Sequence, residues 1–307
     1  MNRDLTRAAT KRAEYTGEQY SAALQALRVI GAQPSLIPHA LSQQALLETD
    51  ILLALNTAAY ILEDDDNSAD EAEKLGNLML ISRVHPRSES ITLDVQRPQL
   101  AALIPSLLPY SEGPDDDNVM GVPGLRAIIS DRGNRLLLYR PGEQGVAQIR
   151  VIDDSMQRHD WRELLKNLRR TLDTAYHIWH SSPKAWADIE RPAHELFSED
   201  RSKSSWLCSG ILRRLNIFRT SGNPIPRWVD VWNGHLEEGI NLQVEWPNGP
   251  SESRIQSLLL DIECGMQLKV VSKDRSWIKL RSLDHEKAGQ IVLRHNLALS
   301  DDSYSPD

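Results

Sequence analysis

The stretch "INLQVEWPNGPSESRIQSLLLDIECG" (Ile240–Gly265) changes hydrophobic period half-way along. Ile240, Leu242, Val244 and Trp246 alternate with Asn241, Gln243 and Glu245, the period of a strand with one wet face. "PNGP" turns the chain, and Pro250 suits a first helical position. Ile255, Leu258, Leu259 and Ile262 then recur at helical spacing until Gly265 stops them. "MQLKVV" and "WIKLRSL", joined by "SKDRS", follow as strands, and "GQIVLR" adds a third. This succession predicts an α+β fold, with a small β-α-β-β(-β) layer whose helix covers one sheet face.

Upstream, Asp160 opens a helix with Glu163 at N3. Trp161, Leu164, Leu165, Leu168, Leu172, Ala175, Tyr176 and Trp179 form its apolar face, while Arg162, Lys166, Arg169 and Arg170 point elsewhere. A second helix, about 203 to 219, buries Leu207, Ile211, Leu215 and Phe218, with Arg213, Arg214 and Arg219 off that stripe. "SGNPIP" (221 to 226) breaks the chain. All eight Trp and both Phe lie at or beyond residue 161, which predicts two separately composed cores meeting near 155.

The earlier half reads as a helix over about 40 to 62, two strands ("NLMLISRVHP", "SITLDVQRP") closed by Pro86 and Pro98, and a meander of "GLRAIIS", "RLLLYR" and "VAQIRVID". Glycines in "DRGN" and "PGEQG" suit the meander's turns. The predicted divisions are a helical hairpin (1–31), a mixed α/β region (32–154), a Trp-rich α+β domain (155–300) and a disordered tail (301–307).

Composition bounds the function. With 307 residues, 40 % apolar and 25 % charged, a sizeable core is available and wholesale disorder is not expected. Cys208 and Cys264 make no disulfide framework and read as buried, inert thiols, a cytosolic usage. "MNRDLTRAATKRAEY" lacks an apolar signal region, and no later run is long enough for a membrane helix, so a cytoplasmic, membrane-free protein is expected. The net charge of -8 opposes a whole-surface attraction to nucleic acid. Its acidic runs, 63 to 73 and 113 to 118, read as solvated loops. "DDDNSAD" spaces its acids like a calcium loop, but Ala69 and Leu75 replace the glycine and glutamate such a loop needs.

"EYTGEQYSAALQALR" (14 to 28) reads as a capped amphipathic helix, with Thr16 as N-cap, Gln19 three residues on, and Tyr20, Ala23, Leu24, Leu27 and Ile30 in one stripe before Gly31. With the helix before it, the stretch resembles the helix pair of ribbon-helix-helix repressors and antitoxins, on Thr16, Gly17, Glu18, Tyr20, Ala22, Ala23, Leu24 and Leu27. The resemblance covers residues 3 to 30 only and implies dimerisation and DNA binding. Those proteins read DNA with a β-ribbon before the first helix. Only Met1 to Asp4 stand in its place here, so no DNA-reading residue is carried over.

No P-loop, dinucleotide or Ser-hydrolase signature occurs, and no cofactor is expected. His177, His180, His194 and Glu195 are the residues a non-local hydrolase or nuclease site would draw on, but "HELFS" lacks the second His of a zinc helix. The reading is a non-enzymatic adaptor or regulator that binds a protein partner or itself, the hairpin serving for docking. The alternatives are a DNA-binding, antitoxin-like regulator of a mobile element, and that enzyme. The candidate interaction residues are Arg3, Arg7, Lys11, Arg12, Tyr20, Leu24 and Leu27 on the hairpin, with Arg162, Lys166, Arg169, Arg170, Arg213 and Arg214 as a basic helical patch.

Overall fold

The computed structural model describes residues 3–31, 35–61, 77–114, 118–153, 155–171, 175–195, 198–219, 226, 229–236, 239–275, 277–285 and 287–295. The acidic run 63 to 73, most of "SGNPIP", the middle of 113 to 118 and the tail 301–307 lie outside them. Helices α1 (Arg3–Thr16) and α2 (Tyr20–Ile30) fold against each other through Gly17, whose φ of 74° favours glycine. Gly31 ends α2 as expected, donating to the Leu27 carbonyl at 3.1 Å. The start of α2 differs from the expectation. Thr16 closes α1 instead, its hydroxyl donating to the Arg12 carbonyl at 3.0 Å and accepting from the Glu18 N–H at 3.2 Å. Gln19 is left as an N-cap without a side-chain bond. The stripe of α2 is met inside the chain, where Ala23 and Leu27 pack on Ala9 of α1.

Helix α3 (Ser42–Ile61) precedes the hairpin β1 (Ile81–Arg87) and β2 (Ser90–Val95). Helix α4 (Leu100–Leu107) follows, unanticipated because Pro105 interrupts its apolar run. Strands β3 (Arg126–Ile129), β4 (Arg135–Tyr139) and β5 (Val146–Val151) form the expected meander. β5 then joins β2 in parallel, giving the order β1-β2-β5-β4-β3.

Helix α5 (Arg158–Thr171) starts two residues before Asp160, whose carboxylate accepts from the Gln157 N–H at 2.9 Å, and ends well before Trp179. That tryptophan is buried in α6 (Ile178–Ser181), which precedes α7 (Glu190–Glu195). Helix α8 (Ser198–Leu212) gives way to a 3-10 segment over Leu215–Arg219. Strands β6 (Asp230–Leu236) and β7 (Gly239–Trp246), helix α9 (Glu252–Leu259), and strands β8 (Leu268–Lys273), β9 (Ile278–Ser282) and β10 (Gln290–His295) complete the chain. Ser251 caps α9, its hydroxyl accepting from the Arg254 N–H, so the first helical position is Glu252 and Pro250 stands just outside the helix. Gly265 lies beyond the helix, where a Cβ would sit 2.3 Å from the Asp261 carbonyl, and Ile262 is 86 % exposed.

The second sheet, β6-β7-β10-β9-β8, repeats the first pair by pair. Each has an antiparallel hairpin, a parallel junction to the last strand, and an antiparallel meander. One constant residue offset maps the core positions Ile91, Leu93 and Val95 onto Leu242, Val244 and Trp246, all buried. The same offset maps "IPSLL" (104 to 108) onto "IQSLL" (255 to 259), whose Ile and Leu residues are buried in both copies. Helices α3 and α8 stand before the two sheets in equivalent places and pack on each other. Contrary to the expected pair of cores, one continuous cluster runs from Tyr15 to Leu293 and includes both sheets. The class is α+β, and no helix among the described residues is long and apolar enough to cross a membrane.

Candidate functional site

The sequence's basic candidates are largely engaged within the chain. Arg7 pairs with Glu263 at 3.0 Å, and Lys11 pairs with Asp261 and Glu263 at 2.6 Å each. Burial acts to lower the Lys11 pKa, but its two carboxylates prevail and raise it. Arg12 is fully buried against Glu18 at 2.6 Å. Arg3 begins α1, Tyr20 is 38 % exposed, Leu24 is half-buried and Leu27 is buried. The hairpin is therefore bolted to the second half of the chain. Tyr15 also donates to the Leu258 carbonyl at 3.1 Å, and Asn216 to that of Glu14 at 2.8 Å.

The basic helical patch is not assembled. Arg213 is buried in a two-pronged contact with Glu48 of α3 (2.6 and 2.7 Å) and also donates to the carbonyls of Pro38 and Arg87. Arg214 is buried on the carbonyls of Cys264, Gly265 and Gly210, and burial pushes its pKa down to about 10. Arg162, Lys166 and Arg170 remain exposed on α5, while Arg169 bonds His180 at 2.6 Å. Arginine can be buried when its fork is met by acceptors, and every side-chain nitrogen of Arg213 and Arg214, in the turn after α8, donates to one.

His177 and His180 flank Trp179 edge-on, and His194 packs on Trp186 with ring centroids 4.9 Å apart. The described residues hold no group of three His, Cys, Asp or Glu that fits a metal. Cys208 and Cys264 are buried, and burial raises the Cys264 thiol to about 12. The main titratable cluster lies on β1 and β2. His85 faces Glu18 at 3.2 Å and Asp94 at 2.8 Å, while Arg12 and Arg150 hold those carboxylates. Each acid is occupied by arginine, which makes the cluster a strut.

The sheet edges distinguish one strand from the rest. On edge strand β1, Arg219 holds the Ile81 carbonyl, Arg12 that of Pro86 at 3.1 Å, and Arg213 that of Arg87 at 2.8 Å. Edge strand β3 is flanked by α6, and its Arg126 is tied to the carbonyls of Ser182 and Ala185 and to buried Glu190. Edge strand β6 lies on α3, its Val231 N–H donating to Asn56 at 2.8 Å. Edge strand β8 pairs only with β9 among the described residues, and Lys269, Val270, Val271 and Lys273 are exposed along it. An antiparallel ladder alternates, so the bond from the Leu283 N–H to the Gln267 carbonyl turns the backbone groups of Leu268 and Val270 away from β9.

Positive charge accompanies this edge. Lys269 and Arg281 are cross-strand partners, and beside them a depression of about 480 Å³ is lined by Lys269, Arg281, Asp284, His285, Lys287 and Gln290 among others. Its groups are braced. Lys287 sits over the Trp206 ring at 5.4 Å, the Trp206 indole N–H donates to the Ala288 carbonyl, and Arg281 bonds Gln290. No protein-family model, curated protein or solved structure matches this chain. Lys269 and Lys273 give a weaker sequence signal than the helical arginines, because two lysines on a short strand form no one-sided basic stripe. The available signal was the broken alternation of "LKVVSK", where two valines adjoin between two lysines.

Proposed function

We propose that the protein is a non-enzymatic adaptor or regulator that holds an extended segment of another protein against β8. The supporting observation is selective: among the described residues, the chain's own side chains bond backbone groups of edge strands β1 and β6, α6 and the segment tied down by Arg126 flank β3, and β8 pairs only with β9. An exposed edge is a template for an added strand, with main-chain bonds supplying affinity and alternate side chains supplying choice. On this reading the N-terminal hairpin is a brace that closes β1 rather than the docking element. The test is selection of binders from a random peptide library on the full-length protein, followed by amide hydrogen exchange. Selected peptides should slow exchange across 268 to 273, and Val270→Pro should abolish their binding while leaving the circular dichroism unchanged. Binders that protect other segments, or that ignore Val270→Pro, overturn it.

A further inference from the structure

Resting on that reading, we infer that the segment received by β8 is acidic, with carboxylate side chains alternating with aliphatic ones. A residue added opposite Lys269 would place its side chain on the sheet face that Lys269 shares with Arg281, Gln290 and Asn241. That face borders the depression, where Lys269, Arg281 and Lys287 outnumber Asp284. Opposite Val270, the added side chain falls on the other face, in line with Val270 and buried Leu280, and is aliphatic. Lys287 is held by Trp206 and Arg281 by Gln290 before any partner arrives, which lowers the ordering cost of receiving an anion.

Shape and charge also select among occupants. A second copy pairing β8 with β8 about Val271 would meet the bulge between Val270 and Ser272 in both strands, and that bulge sets Lys269, opposite Arg281, and Lys273, opposite Ile278, on different faces, so no regular ladder forms across it. The same lysines, with the bulge between Val270 and Ser272, keep the edge from joining copies of itself. They leave it open to a strand of opposite sign.

The experiment is calorimetric titration of the full-length protein with short synthetic peptides, one alternating Val and Glu and one alternating Val and Lys, and with a single-stranded oligonucleotide. The acidic peptide is expected to bind roughly tenfold or more tighter than the basic one. Lys269→Glu with Arg281→Glu should erase or invert that preference, and Val270→Pro should remove both peptides. Equal binding of the two peptides, each lost in Val270→Pro, overturns the acidic partner and leaves strand addition standing. Absence of either peptide's binding overturns strand addition itself. An oligonucleotide that outcompetes the acidic peptide and is lost in the charge-reversed variant assigns the surface to nucleic acid. A dimer in light scattering that Val270→Pro dissolves assigns the edge to a second copy. Each of these last two outcomes overturns the inference.

Discussion

The two halves share one strand order and one parallel junction, yet equivalent positions do different work. At the junction of the first sheet, Asp94 stands opposite Arg150; at the same place in the second, Glu245 stands opposite Arg294. The first pair is a close contact, 2.7 and 2.8 Å, continued through His85 to Glu18 and Arg12. The second is 3.9 Å apart with Arg294 largely exposed. The same divergence separates β3, bound to Glu190 and the 178 to 190 segment, from β8, which is open. Topology decides which strands are edges, and a few charged side chains decide which edges stay available.

The largest expected effect is at the joint between the halves. Glu48→Gln leaves Arg213 buried beside a neutral group and should cost about 3–5 kcal/mol in urea unfolding. Because one core is shared, the tryptophan signal and the far-ultraviolet signal should move together; separate transitions would restore two independent domains. Next, Arg126→Ala strands Glu190 and unties the segment over β3, a loss of about 3 kcal/mol. It should also uncover an edge that lacks the lysines of β8, visible as new self-association in light scattering. At the equivalent junctions, Arg150→Ala should cost about 2 kcal/mol and Arg294→Ala less than about 0.5 kcal/mol by the same denaturation. Equal costs would break the comparison.

A smaller effect is the pH dependence contributed by the first half. Burial opposes the charged form of His85, but Asp94 and Glu18 outweigh it and raise its pKa. The stability it contributes is complete below the ordinary histidine value near 6.5 and is lost as pH rises through the raised one. Burial likewise works against ionised Glu18 and Asp94, yet His85 with Arg12 or Arg150 lowers both. Their contribution is present above about 4 and lost as pH falls through the lowered values. Melting temperature should therefore decline on both sides of the weakly acidic range, and His85→Asn should remove the alkaline decline and shrink the acid one, which Arg12 and Arg150 still maintain. Smallest for the fold is Lys269→Ala with Lys273→Ala, which should leave unfolding unchanged within about 0.5 kcal/mol while raising self-association through β8.

Local chemistry made part of this legible. The β3–β5 meander rests on turn glycines, and the end of α2 on Gly31, all written beside the elements they shape. The fate of Arg213 could not be read in that way, since Glu48 lies 165 positions away. Without that partner an arginine beside an apolar stripe reads as solvated. The cap at Thr16 failed for the same reason, because Arg12 and Glu18 claim each other across the turn. The repetition was present in "IPSLL" and "IQSLL" but was masked by Pro105 and by connections of unequal length before the third strand of each sheet. Of the proposed site, the strands were legible and the open edge was not, since an edge is defined by what other segments decline to cover.

The doubled topology also bears on stoichiometry. A dimer of two identical units would present the same edge twice and could bridge two partners into a network. Here both copies ride on one chain: one edge is flanked by the segment that Arg126 and Glu190 hold, and the other pairs only with β9 among the described residues. On the proposed reading the molecule is monovalent, a terminus that accepts one partner and stops.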